Sequence, residues 1–187
     1  MGHGIVKLYC FNVSIERCRG TLFCARCAGT HQLGMVNAMI ISPKKICFDI
    51  RAILKCRWGC EDFFQESLRC HARDTTYQER VEMIKRYNYI LLVHSQDARA
   101  LSTAVLEIER TAFLDGYYFA FAIRWCNLCR VCAIKEGKPC PTPDKVRPCD
   151  SIFDIDVYKT ARNLGLPCEV LQNKEYIQNR YGFVLVD

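Results

Sequence analysis

The stretch YILLVHSQDARALSTAVLEIERTAFLDGYYFAFAIRW, residues 89–125, shows the clearest change of element type in the chain. It opens and closes with apolar runs of strand length, the second beginning at Tyr117. Between these runs, apolar residues recur at helical spacing from Leu101 onward. Asp97 is suited to cap such a helix, and Gly116 follows its end. The stretch therefore predicts a strand, a helix and a strand.

The same kinds of signal continue on both sides of this stretch. A capping-box pattern at Thr76 predicts a shorter helix, and a third helix is predicted from about Asp154 to Gly165. Three further strands are predicted, beginning at Asn37 (NAMII), Cys168 (CEVLQ) and Tyr181 (YGFVLVD). This order predicts an α+β or α/β domain with one mixed β-sheet, about three helices, and cysteine-rich metal-binding loops at one end.

Composition limits the setting of this domain. The chain has 187 residues, half of them apolar, which is enough for one domain with a substantial core. Its longest apolar runs fall short of the roughly 20 residues of a membrane-spanning helix, and its N-terminus lacks the pattern of a signal peptide. We therefore expect no membrane span and a cytoplasmic location. In a reducing cytoplasm, 14 cysteines indicate metal binding more than disulfides.

The formal net charge of +6 at first suggests a nucleic-acid partner. However, four thiolates around an iron–sulfur cube leave about two net negative charges, so two or three clusters would cancel most of the excess. No basic residues interleave with the aromatic residues at Tyr117–Phe119, so we expect no nucleic-acid binding. Five arginines near cysteines are candidates for offsetting cluster charge, with a solvated basic face as the alternative: Arg57, Arg69, Arg124, Arg130 and Arg147.

The densest cysteine group is WCNLCRVCAIKEGKPCP, residues 125–141. Cys126, Cys129 and Cys132 repeat as C-x2-C-x2-C, and Cys140 precedes a proline. Three sulfurs in one short loop suit a [4Fe-4S] cube better than one zinc ion, which usually takes two sulfurs from each of two knuckles. Cys140 is the fourth candidate, unless it serves another cluster, in which case Cys149 would complete the first three.

A second group, KCRWGCEDFFQESLRC, offers Cys56, Cys60 and Cys70. Its fourth ligand is open among Cys140, His71 and a distant cysteine. With no fourth protein ligand, one iron would be free to bind a substrate and act as a catalyst. Three residues close in sequence could then assist, namely Glu61, Asp62 and Arg69.

A third group lies near the N-terminus and consists of Cys10, Cys18, Cys24 and Cys27. It fits a cluster or a zinc site, and the alternative is scattered cysteines that act as small apolar residues. Cys47 and Cys168 are expected to be core residues. The sequence has no G-x-S-x-G, no phosphate-binding glycine loop and no H-E-x-x-H motif.

Four segments in one order resemble a known family: RAILKCRWGCEDFFQESLRC, ERTAFLDGYYFAFAI, CNLCRVCAIKEGKPCPTPDKVRPC and DIDVYKTARNLGLP. Over residues 34–187 the chain is similar to the predicted metal-binding protein family known as domain of unknown function 2284. The resemblance implies cysteine-bound metal at Cys56, Cys60, Cys70, Cys126, Cys129, Cys132 and Cys140, and no established reaction. Residues 1–33 look like an added, cysteine-containing extension to an iron–sulfur domain at 34–187. The chain also departs from the family at His71-Ala72, where prolines are common, and at Cys149, where cysteine is not usual.

Three functions follow from these patterns. The leading one is single-electron transfer by two, or with the N-terminal group three, [4Fe-4S] clusters in anaerobic metabolism. Its partner would be a redox protein such as a ferredoxin or an oxidoreductase subunit. The first alternative is catalysis at an open iron of the Cys56, Cys60 and Cys70 cluster, on a small sulfur- or oxygen-containing ligand. The second is a zinc-bound scaffold.

Overall fold

The computed structural model describes residues 35–64, 67–173 and 175–187. The predicted extension at 1–33, with its four cysteines, lies outside the described residues. In chain order the elements are β1 (Asn37–Ile41), α1 (Arg51–Gly59), α2 (Glu61–Phe64), α3 (Tyr77–Lys85), β2 (Ile90–Ser95), α4 (Ala98–Leu114), β3 (Phe121–Ile123), α5 (Val157–Asn163) and β4 (Arg180–Leu185). Short 3₁₀ helices lie between them at Pro43–Lys45, Leu68–Asp74, Ala133–Glu136, Pro143–Lys145 and Asp150–Phe153.

The four strands form one sheet in the order β1-β2-β4-β3. This arrangement confirms the α+β class, but the prediction of a mixed sheet was wrong because every described pairing is antiparallel. The crossover from β2 through α4 to β3 does set those two strands parallel to each other. β4 inserts between them and runs antiparallel to both, so no parallel pair is in contact.

Two of the predicted strands differ from the structure. Residues 168–172 form no strand, because Cys168 is buried whereas Val170 is 71% exposed and the segment pairs with no sheet edge. The strand predicted from Tyr117 is reduced to β3, since Tyr118 and Phe119 are exposed and precede it. Apolar residues alone do not make a strand where no partner strand is available.

The sheet separates two apolar cores, which explains why β2 is apolar along nearly its whole length. One core joins Leu92 and Phe183 to α3 and α5. The other joins Val93 and Val184 to α4. All six residues of β2 are buried, so neither face of this central strand presents a polar surface.

The helices confirm the clearest local signals. α4 begins after Asp97, whose Oδ1 accepts a hydrogen bond from the Ala100 N–H at 2.7 Å. α3 has the predicted capping box at Thr76. α5 begins later than predicted, after Asp156, because the chain at Asp154 is in the left-handed conformation with φ of 57° and cannot start a helix.

The main correction concerns the cysteine segment before α3. It was predicted as a loop, but Cys56 lies inside α1, Cys60 caps its C-terminus, and Cys70 lies in the 3₁₀ helix Leu68–Asp74.

Within the described residues, no helix is both long enough and apolar enough to cross a membrane.

Candidate metal centre

The first candidate centre is the loop that follows β3. Burial raises the pKa of the Cys126 thiol, and the nearby thiols of Cys129 and Cys140 raise it further. Cys140 thus lies within electrostatic range of Cys126. The loop turns back through the 3₁₀ helix Ala133–Glu136, which begins directly after Cys132. All four cysteines of the segment 125–141 therefore lie in one loop system that is partly open to solvent.

A buried serine fixes the start of this loop. The Ser102 Oγ, on α4, accepts a hydrogen bond from the Asn127 N–H at 3.2 Å and lies 3.1 Å from the Trp125 carbonyl oxygen. Sequence reasoning missed this residue. The available signal was a hydroxyl on the otherwise apolar face of a long helix, beside Leu101.

The second candidate centre consists of Cys56, Cys60 and Cys70. The Cys60 N–H donates to the Cys56 carbonyl at 3.2 Å, which places both thiols at the last turn of α1. Burial, followed by the charges of Cys60 and Asp62, raises the pKa of Cys70 to about 11. Burial and then Cys60 also raise the pKa of Cys56. The three thiols therefore act on one another across two separate elements.

Cys149 lies beside this second group. It packs against the small buried cluster formed by Ile53, Cys70 and Ile152. Its N–H donates to the Arg69 carbonyl at 3.2 Å, so its backbone is held next to that of Cys70. Burial raises the pKa of Cys149 well above its usual value, and the charges of Asp150 and Cys56 add to this effect.

Arg69 precedes Cys70 of the second group in the chain, and its side chain reaches the first group. Its Nη2 lies 3.8 Å from the Cys132 Sγ, and its Nη1 donates to the Cys126 carbonyl at 3.2 Å. The guanidinium also pairs with Asp62 at 3.4 Å and lies over the Trp125 ring. Because Arg69 precedes Cys70 in the chain and is only 7% exposed, it provides a buried positive charge shared by both centres.

A second buried cation lies near Cys149. The Arg124 Nε is buried and has no hydrogen-bond partner among the described residues. Burial lowers the pKa of Arg124, whereas the negative charges of Asp150 and Cys149 act in the opposite direction. The Arg124 Nε–H therefore has no acceptor among the described residues, and Arg124 lies within electrostatic range of Cys149.

The remaining candidates lie elsewhere or play other roles. Arg147 pairs with Glu109 of α4, with its Nε 2.8 Å from the carboxylate. His71, Arg57 and Arg130 are exposed. Cys168 is buried in the main core, as expected. The half-buried Cys47 accepts a hydrogen bond from the Asn163 side chain.

The thiols are neighbours without forming a closed site for a single ion. Within residues 35–64, 67–173 and 175–187, no three side chains of His, Cys, Asp or Glu converge closely enough to hold one metal ion. All ten described cysteines are free thiols. A single ion bound here would have to draw its ligands together, as happens where metal binding completes folding.

Comparison with known proteins supplies the family. The model of the family described as predicted metal-binding protein (DUF2284) matches residues 39–186. The chain belongs to this family. No curated protein and no solved structure matches it. The match spans both cysteine groups and the sheet, so the resemblance seen in the sequence is confirmed.

The DUF2284 chain also has chemistry suited to metal. Thiolates are the preferred ligands of iron–sulfur clusters and of structural zinc. Here they lie near two buried cations, Arg69 and Arg124. Arg69 already pairs with Asp62, whereas the Arg124 Nε–H has no acceptor among the described residues. A buried cation is costly unless compensated, and the negative charge of a thiolate-bound cluster would help to compensate Arg124. The residues present therefore fit a thiolate-bound metal centre.

Proposed function

We propose that this protein carries two [4Fe-4S] clusters and transfers single electrons to a redox partner in a reducing cytoplasm. The first cluster would be held by Cys126, Cys129, Cys132 and Cys140. The second would be held by the group of Cys56, Cys60 and Cys70. The partner would be a ferredoxin-like protein or an oxidoreductase subunit.

The observation that supports this proposal best is the position of Arg69. One buried guanidinium contacts the Cys132 sulfur and the Cys126 carbonyl, and its neighbour in the chain is Cys70. The loop that would hold the first cluster therefore meets the chain segment of the second at this side chain. Lys135 adds a second link, since its Nζ lies 3.2 Å from Glu61 of α2.

The donor set favours clusters over zinc. C-x2-C-x2-C presents three thiolates from one short loop, which suits the separate irons of a cube. A zinc ribbon would take two sulfurs from each of two knuckles. When bound, such clusters accept and release one electron at a time. The described residues bind the cluster, supply positive charge beside its sulfurs, and cover part of it from water.

The test is a count of metal and sulfide in the full chain purified without oxygen. We expect about eight irons and about eight sulfides per chain for two clusters, with more if the N-terminal cysteines hold a third. Cys126→Ser should remove about four irons and leave the second cluster in place. Cys47→Ser is the matched control, because Cys47 is half-buried and lies outside both groups, and it should leave the count unchanged.

Two results would contradict the proposal. Purified protein that contains zinc and no labile sulfide would indicate a structural role for the metal and not electron transfer. An iron count that does not fall in Cys126→Ser would show that the loop after β3 does not hold a cluster.

A further inference from the structure

The cysteine at position 149 lies where the second centre lacks a ligand. Cys56, Cys60 and Cys70 supply three thiols, and a cube with four irons takes four. The elements that carry these thiols meet the 3₁₀ helix Asp150–Phe153, which begins directly after Cys149. We propose that Cys149 is the fourth thiolate of the Cys56, Cys60 and Cys70 cluster. This inference rests on the proposed function, because it assigns a ligand of one of its two clusters.

Packing holds Cys149 at this place. Ile53 of α1 and Ile152 are buried in one small cluster with Cys70, and Cys149 packs against it. Ile53 lies one turn before Cys56 on the same helix, and the Ile152 N–H donates to the Cys149 carbonyl at 3.1 Å. Any movement of Cys149 away from Cys70 would have to open this apolar contact.

A backbone hydrogen bond reinforces the same arrangement. The Cys149 N–H donates to the Arg69 carbonyl at 3.2 Å, one residue before Cys70 in the chain. The backbones at Cys149 and Cys70 are therefore joined directly, although they are far apart in sequence. Two thiols on adjoining backbone segments can reach separate irons of one cube.

A buried cation and a carboxylate both lie near Cys149. Arg124 is 8% exposed, its Nε has no hydrogen-bond partner within the described part of the chain, and Arg124 interacts electrostatically with Cys149. Asp150 opposes this effect, since its Oδ1 lies 3.7 Å from the Cys149 Sγ. Arg124 also interacts with Asp150, so one buried cation faces both acidic groups.

The rival ligands are worse placed for this role. Cys140 lies within electrostatic range of Cys126, in the other group. His71 follows Cys70 but is exposed. With Cys149 as ligand, every iron of the second cluster has a protein thiolate, and no iron is left open for a substrate. The second cluster then serves electron transfer and not catalysis.

The experiment uses ⁵⁷Fe Mössbauer spectroscopy and iron counts on the full chain loaded without oxygen. In the unmodified protein we expect all irons to have sulfur-only coordination. In Cys149→Ser we expect either one iron per chain with an oxygen-ligated signature or loss of about four irons, half of a two-cluster content. Cys168→Ser is the matched control, since Cys168 is a buried thiol of the main core, and it should retain the unmodified spectrum.

The outcomes separate this inference from the proposed function. Unmodified protein without iron and sulfide would overturn both. Two intact clusters whose iron count and spectrum are the same in Cys149→Ser would overturn the inference alone. If the variant does not fold, the unmodified protein still decides, because an iron with a non-sulfur ligand would show that the second cluster has only three thiolates.

Discussion

Arg69 is the residue at which the two cysteine groups come together. Its guanidinium is shared among the Asp62 carboxylate, the Cys126 carbonyl and the Cys132 sulfur. The Arg69 and Asp62 side chains are 8% and 6% exposed, so little water screens the pair. Removing one partner of a buried pair leaves the other charge uncompensated.

We expect Arg69→Ala to lower the free energy of unfolding by about 3–5 kcal/mol, the usual cost of breaking a buried ion pair. Urea unfolding of the loaded protein measures this loss. The matched control is Arg86→Ala at the C-terminal cap of α3, where the Arg86 Nε lies 2.9 Å from the exposed carboxylate of Glu82. That exposed pair should contribute only about 0.3–0.5 kcal/mol. Equal losses in the two variants would contradict a central role for Arg69.

A second measurement separates a role at the sulfur from a purely structural one. Arg69→Lys keeps the positive charge but cannot reach several acceptors at once. We expect it to make the reduction potential of the Cys126 cluster more negative, because loss of a hydrogen bond to sulfur disfavours the added electron. An unchanged potential in a folded Arg69→Lys variant would limit Arg69 to stabilising the fold.

His94 has a structural role and not a metal-binding one. It is 3% exposed on β2, stacks on Tyr181, and has its Nε2 2.9 Å from the Asn179 side-chain oxygen. Burial lowers its pKa below the unfolded value of about 6.5, so the unfolded chain takes up the proton first as pH falls. The stability that depends on neutral His94 is therefore fully present above about pH 6.5 and is lost as the pH falls below that value.

We expect His94→Gln to remove this part of the pH dependence, because glutamine can still donate to Asn179 but does not titrate. Urea unfolding at about pH 7.5 and about pH 5.5 checks the difference. A slope in His94→Gln as steep as in the unmodified protein would show that other groups cause the pH dependence.

At the scale of elements, the contact between α4 and β4 depends on a glycine. A Cβ at Gly182 would lie 2.8 Å from the Val105 Cγ1 and 3.4 Å from the Arg124 Cδ. Val105 is 1% exposed and short, so it has little room to move aside. The absence of a side chain at Gly182 lets the helix approach the central sheet closely.

We expect Gly182→Ala to destabilise the protein by about 1–3 kcal/mol through overpacking, measured by urea unfolding. The double variant with Val105→Ala should lose less than the sum of the two single variants, because the new methyl group fills the space that valine leaves. Strict additivity would contradict a direct clash between these positions.

The elements differ in how far the sequence predicts them. α3 and α4 are predictable because their caps are local: Thr76 and Asp97 are followed by helical spacing. α1 cannot be predicted in this way. The residue before it, Ile50, provides no side-chain cap, and Ile53 is the one buried residue of the helix. Asp49 accepts from the Arg51 N–H at 2.9 Å, but the buried residue of the helix, Ile53, packs against Ile152 from a distant part of the chain. A helix held mainly by neighbours gives little signal in its own sequence.

At the scale of the whole molecule, the grouping of the cysteines depends on contacts between distant parts of the chain. The C-x2-C-x2-C loop can be predicted from the sequence because its three cysteines lie close together in the chain. The proximity of Cys149 to Cys70 cannot be predicted from the sequence, because it depends on the packing of Ile53 against Ile152. The insertion of β4 between β2 and β3 is equally non-local, which is why the predicted mixed sheet was wrong.

We propose that these two groups of thiols hold two iron–sulfur cubes. The most direct measurement is a crystal structure of the full chain, prepared without oxygen, with anomalous diffraction recorded at the iron edge. We expect two compact groups of four irons, one bonded to Cys126, Cys129, Cys132 and Cys140 and the other to Cys56, Cys60, Cys70 and Cys149. Single zinc ions, or thiols without metal at both places, would contradict this expectation.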